Sequence, residues 1–245
     1  MSNENENKNE TKKEDEKKKG FFNESRIEMI VAIFLGITAL LTAWATWIGS
    51  LHGGNQSTNY TKSNNLSSEG NSEYNSGLQT YLSDLMAWNE MLNYYFDIEI
   101  ALLNEKEEEA ELIQTKLDAY VDQNASEIMA EGLDWIKQND VDADTPFEMP
   151  GLMDKYFETA NELLEESQAM LEQGQKDNAN GDKFGLVTVI YSLVLFMLGI
   201  IGIFKKLPNR KVVLIIAIIG LVLATVYMFT IPMPTDFSFS SYFSS

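Results

Sequence analysis

The sequence predicts an all-α integral membrane protein, with three transmembrane helices and a helical extracytoplasmic domain containing coiled-coil-like helices. Three observations lead there. Residues 29–48, 184–204 and 212–231 are uncharged, strongly apolar runs, and at about 1.5 Å rise per residue each matches a hydrocarbon core of about 30 Å. The seven residues KKLPNRK between the second and third runs hold Lys205, Lys206, Arg210 and Lys211 and no acid. Between the first and second runs, apolar residues recur at three- and four-residue spacing, the signature of amphipathic helices.

The charge distribution sets the topology. Residues 51–183 hold 7 basic and 28 acidic residues, within a chain of net charge −19. A short loop between spans follows the positive-inside bias, whereas a long domain translocates largely regardless of its own charge. Lys205, Lys206, Arg210 and Lys211 therefore pin the hairpin turn in the cytoplasm, and Arg26 and Lys17–Lys19 place the N-terminus on the same side. The expected organisation is a disordered charged cytoplasmic tail (1–26), a first transmembrane helix (27–50) and the extracytoplasmic helical domain (51–183). A second transmembrane helix (184–204), a cytoplasmic loop (205–211), a third transmembrane helix (212–231) and a short extracytoplasmic tail (232–245) complete it. The localisation is thus a cell membrane, multi-pass.

Each element has its own grounds. Residues 1–20 are mostly Asn, Glu and Lys and bury too little to offset chain entropy. The first span is longer than the 7–15 apolar residues of a typical signal peptide, so it reads as uncleaved. Trp44 and Trp47 stand where an interfacial belt belongs. Residues 49–72 are rich in Ser, Asn, Gly and Thr, and composition alone reads them as a flexible linker. From Leu78 to Phe96 and from Leu112 to Val121 the helical period is clear, with a coiled-coil-like part near 76–122. A short helix is expected over 128–136, and another from Met153 through Gln175–Lys176 into the second span. Pro232 and Pro234 end the third span. Phe237, Phe239, Tyr242 and Phe243 beyond it suit a membrane interface.

Several stretches resemble a family of uncharacterised prokaryotic three-span membrane proteins. Trp47, Gly54, Gln56-Ser57 and Tyr60 are similar to its W…G-x-Q-S…Y stretch, and Thr145–Pro150 to its T-P-F-x-M-P element. Residues 172–196 resemble its E-x-G-Q and N-x-x-G-D-[KR]-[FY]-x-L-x-T-V-[IL]-[FY] run into the second span. The resemblance implies one span, a helical domain and a hairpin, with residues 49–72 continuing the first helix. Gly53, Gly54 and Gly70 stand in a region where that family commonly has Ala. The family brings no established activity.

Composition narrows the chemistry. The chain has no cysteine and one histidine, His52, which disfavours thiol chemistry, histidine metal clusters and Ser-His-Asp triads. The acidic middle disfavours nucleic acid as a partner, and the uncharged spans disfavour ion-coupled transport. Asp140, Asp142 and Asp144 begin a D-x-D-x-D pattern. The EF-hand loop then needs Gly and Glu where this chain has Thr145 and Gly151, so an acidic interhelix loop is the stronger expectation. Glu105, Glu107, Glu108, Glu109 and Glu111 read as a solvated face. Asn55, Asn59, Asn65 and Asn124 begin N-x-[ST] sequons.

Small residues give the positive signal. Ala32, Gly36, Ala39 and Ala43 lie on one stripe of the first span, with shorter stripes at Gly199 and Gly202 and at Ala217, Gly220 and Ala224. Such stripes let helices approach closely in lipid, within one chain or between copies. The expected partners are the bilayer and a second copy of the chain, and no cofactor is expected. The functional expectation is a non-enzymatic envelope scaffold or interaction module. Its rival is a homo-oligomeric pore or sensor lined by Thr38, Thr42 and Thr46.

Overall fold

A computed structural model describes residues 24–139, 144–204, 208–235 and 237–238. They form helix α1 (Glu24–Leu103), α2 (Glu107–Asn124), α3 (Glu127–Asn139), a 3-10 turn (Pro146–Glu148), α4 (Leu152–Ile203) and α5 (Arg210–Thr230). The described residues contain no strand. Contacts divide the chain into two compact units, one built from residues 1–59 and 172–245 and the other from 60–171. Both unit boundaries fall inside helices, within α1 and within α4.

The linker expected at residues 49–72 does not exist: the whole segment is α-helix. Its inward positions explain how a polar sequence sustains a packed helix. Along α1 the inward residues advance by three and four, through Ile27, Val31, Thr38, Ala45, Ile48 and His52 in the first unit. In the second unit they are Ser63, Gly70, Asp84, Ala87 and Met91. The seam keeps a helical period while its residues turn small and polar. Composition hides such a helix; spacing reveals it.

In the first unit, α1, α4 and α5 each contain a stretch long and apolar enough to cross a membrane. Their shared interior is built from Ala45, Ile48, Phe184, Tyr191, Leu198 and Ala217, among others. The outward faces are also apolar, with Leu40 75%, Phe196 65% and Phe229 72% exposed. A water-facing helix surface this apolar would be a liability, whereas a bilayer covers it.

In the second unit, Ala87, Met91, Leu117, Met129 and Leu133 bring α1, α2 and α3 into one small core. Helix α1 ends in a Schellman-type motif: Lys106 N–H donates to Ala101 O (3.0 Å) and Glu105 N–H to Leu102 O (3.0 Å). Glu105 takes the left-handed conformation this motif requires (φ 58°). Glu107, Glu108 and Glu109 then occupy the first turn of α2, where the helix dipole favours negative charge. The acidic cluster thus serves helix initiation.

Helices α1 and α4 run antiparallel in this unit and approach to backbone contact. A Cβ added at Gly77 would lie 2.0 Å from the carbonyl oxygen of Tyr156, and one at Gly132 would lie 2.8 Å from that of Pro146. The second approach shows what the TPFEMP element does. Thr145 caps the 3-10 turn by accepting from Phe147 N–H, Pro146 is buried, and the turn seats against α3. Because a helix carbonyl cannot move aside like a flexible side chain, Gly77→Ala is expected to lower the stability of the second unit by at least about 2 kcal/mol. Chemical unfolding followed by circular dichroism measures this, and Gly53→Ala, which has open space around it, is the matched control.

Candidate functional site

The first unit holds a buried hydrogen-bond network centred on the only histidine. His52 falls on the inward stripe of α1 one turn beyond Ile48, and Asp177 on the facing stripe of α4; they are 1% and 2% exposed. His52 Nδ1 lies 2.9 Å from Asp177 Oδ1. The other carboxylate oxygen, Oδ2, accepts from Asn59 Nδ2 (3.1 Å) and Gln173 Nε2 (3.2 Å). The imidazole stacks on Phe184 at 5.8 Å between ring centres. A Cβ built on Gly181 would meet His52 Cβ at 3.6 Å, ordinary van der Waals contact, so the helices lie close here.

The second ring nitrogen decides what this group can do. Nε2 lies 3.1 Å from the carbonyl oxygen of Pro232, which only accepts. With a carboxyl group on one side and a main-chain carbonyl on the other, both ring nitrogens are engaged by the protein itself. A His–Asp pair that orients a general base keeps its other nitrogen for a nucleophile or substrate; here that place is taken by main chain. The arrangement therefore locks three segments together: α1, α4 and the chain after α5.

That last segment folds back onto α1. Asn55 Nδ2 donates to Thr235 O (3.3 Å), and Phe237 meets Trp44 and Trp47 edge-on at 6.1 and 5.8 Å. Phe237, expected at a membrane interface, is thus packed against the two tryptophans expected there. Phe239, Tyr242 and Phe243 lie outside the described residues. Asn55 and Asn59, read as sequons, spend their side-chain amides on these contacts; Asn65 and Asn124 lie elsewhere on the helices.

A second buried carboxylate organises the other unit. Asp84, 1% exposed, accepts from Ser126 N–H (2.9 Å), Ser126 Oγ and Tyr156 Oη (2.7 Å). Ser126 Oγ in turn accepts from Met129 N–H (3.1 Å), so it caps α3 while donating to Asp84. Burial, then the bond to Asp84, pushes the Tyr156 phenol well above the usual tyrosine range. The phenol remains a donor.

The residues singled out from sequence separate into distinct places. Ala217 and Ala224 are buried, and a Cβ built on Gly220 would lie 3.5 Å from Val194, so the third-span stripe packs within the chain. A Cβ built on Gly202 would lie 3.7 Å from Val31, and Gly199 is half-buried. Ala32, Gly36, Ala39 and Ala43 are all exposed; the first-span stripe faces away from the bundle. Thr38, Thr42 and Thr46 each donate back to the carbonyl four residues earlier, and Thr38 is fully buried. Arg210 is buried, with Nε donating to Ile201 O (3.0 Å) at the end of α4; its Nη2 is buried without a hydrogen-bond partner among the described residues. Lys211 is exposed, while Lys205 and Lys206 lie outside the described residues. So do Asp140 and Asp142. Asp144 is exposed, and no group of three metal-binding side chains occurs among the described residues.

Sequence reasoning missed both carboxylate networks. Asp177 and His52 are 125 residues apart, and no local pattern joins them. The available signal was positional: each polar residue falls on the inward stripe of its helix, where an apolar one is the norm.

Two predictions follow from the geometry. Removing one member of a buried pair strands the other, so His52→Ala and Asp177→Ala are each expected to cost about 3–5 kcal/mol. The double variant is expected to cost less than the sum, as read from unfolding in detergent. For Tyr156, the folded state favours the protonated phenol, so its contribution is complete below the unfolded tyrosine range near pH 10 and is lost as pH rises through the higher folded value. Unfolding midpoints are expected to fall above about pH 10 more steeply in the native chain than in Tyr156→Phe.

Compared with known proteins, the chain matches no family model, no curated protein and no solved structure.

Proposed function

We propose that this protein is a non-enzymatic interaction module of the cell envelope: three spans anchor it, and the helices of residues 60–171 present a binding surface outside the membrane. The observation that carries this is the continuity of α1, one helix from Glu24 to Leu103. It supplies the first span and also the longest helix of the second unit, so the anchoring and presenting parts are one piece of secondary structure. The acidic balance of 51–183 suits an exposed, soluble surface. The buried networks at His52 and Asp84 act as structural locks, with their hydrogen-bonding atoms engaged by the protein itself.

The basic turn supports an inside position for the hairpin and hence an outside position for residues 60–171. Coiled-coil-like packing of the outer helices belongs to the same proposal. A pore lined by Thr38, Thr42 and Thr46 draws less support, because Thr38 is buried in the bundle and all three hydroxyls bond to their own helix. The chain has no native cysteine, so single replacements report cleanly on topology. In intact cells a membrane-impermeant maleimide is expected to label Asp144→Cys and spare Asn209→Cys. The reverse pattern overturns the proposed placement.

A further inference from the structure

Helix α1 has a second face in the 60–171 unit that its own chain leaves open. Leu82, Phe96 and Leu103 are 49, 59 and 78% exposed, and they stand at multiples of seven with Asn89 between Leu82 and Phe96. Leu78, Leu85 and Leu92 form the companion row, also seven apart, with Leu78 exposed and Leu85 and Leu92 half-buried along its edge. In heptad lettering the first row takes the a positions and the second takes d, with Glu99 the one d residue that breaks the row. The side of α1 that packs on its own chain, through Asp84, Ala87 and Met91, falls at c and f, opposite the open rows.

We propose that these rows form a parallel two-stranded seam with the same helix of a second copy of this chain. Four features commit the face to that occupant. First, its chemistry is self-complementary. From 78 to 103 the a, d, e and g positions carry one charged side chain, Glu99, within a region of strong net negative charge; two copies meet there with little repulsion, and a basic partner finds almost no acid to pair with. Second, Asn89 is the single polar residue at a. Across a parallel pair it faces its own counterpart, which fixes register and favours two strands. Third, the apolar surface is large enough. Met86, Ile100 and Leu102 are also more than half exposed, so apolar side chains extend along the whole face, as a specific interface burying about 800 Å² per partner requires. Fourth, and resting on the membrane anchoring proposed above, copies held in one bilayer present α1 in the same direction, which makes the parallel arrangement an intramembrane encounter at high effective concentration.

Single-cysteine variants of the full chain in native membranes test this. Asn89→Cys is expected to give roughly tenfold more disulfide-linked dimer than Glu90→Cys, because facing a positions come within disulfide reach and b positions do not. Adding Leu82→Glu and Phe96→Glu, both at exposed sites, is expected to abolish that dimer without loss of helical signal in circular dichroism. Equal crosslinking at Asn89→Cys and Glu90→Cys, or none at either, overturns the seam. Labelling of Glu90→Cys by an impermeant maleimide in intact cells is read in parallel. A labelled but uncrosslinked chain removes the dimer and keeps the outward placement; a chain labelled only after lysis removes the placement itself.

Discussion

The antiparallel approach of α1 and α4 constrains everything else in this molecule. Where Gly77 meets the Tyr156 carbonyl the backbones themselves are in contact, and at Gly70 the nearest obstacle to a Cβ is Leu164 at 2.9 Å. Helices this close have no room for leucine-sized side chains between them. Between Ser63 and Asp84 the inward positions of α1 are therefore small or end in a polar group that finds a partner across the gap: Ser63, Gly70, Gly77 and Asp84. That requirement explains why the centre of the longest helix is written in Gly, Ser and Asn. It also explains why hydrogen bonds recur along the crossing: a close, dry contact leaves polar groups with each other as their only partners.

The first unit, whose helices are long and apolar enough to cross a membrane, meets the same constraint. Where helices pack in lipid, close packing and interhelical hydrogen bonds replace the hydrophobic drive. The third span meets this with Ala217, Gly220 and Ala224 against the second, reinforced by Tyr191 Oη and Thr225 Oγ1 at 3.0 Å. Arg210 closes the turn from the α5 side by bonding a carbonyl of the last turn of α4. A residue read from sequence as a topological charge thus also satisfies a backbone group that the helix end would leave unpaired. The two roles are compatible, since a guanidinium near the membrane boundary can hold a carbonyl and still bias orientation.

How much of this was legible depends on which physical signal each element uses. The three long apolar helices, the stop at Pro232, the helix at 127–139 and the helix running on from 152 were readable, because apolar length, proline and apolar periodicity are local. For residues 49–72 composition reads as a linker and the family resemblance as a helix, and the segment is helix; linker composition and a small-residue seam look alike, and only the spacing of Gly49, His52, Asn59, Ser63 and Gly70 along one face separates them. For the His52 and Asp84 networks the inward position of each polar residue is legible, but the partner it meets is not. Their partners lie on other helices, 125 and 72 residues away for Asp177 and Tyr156, and sequence separation of that kind leaves no periodic trace.

Buried polar groups rarely add net stability over well-packed apolar ones, so their number along one helix pair calls for another account. Register supplies it. A seam of glycine, alanine and serine is nearly featureless, and sliding α4 by one heptad against α1 would present similar small residues to one another. The polar pairs distinguish the registers. In the first unit a slip takes Asp177 from His52 and leaves an unpaired buried charge. In the second it breaks the Ser63–Ser167 bond (3.2 Å) and removes the Tyr156 donor from Asp84. Each loss costs on the order of 1–5 kcal/mol, against a native stability of about 5–15 kcal/mol for an ordinary domain. Helices close enough to need small residues give up the shape information that large side chains carry, and the hydrogen-bonded pairs restore it.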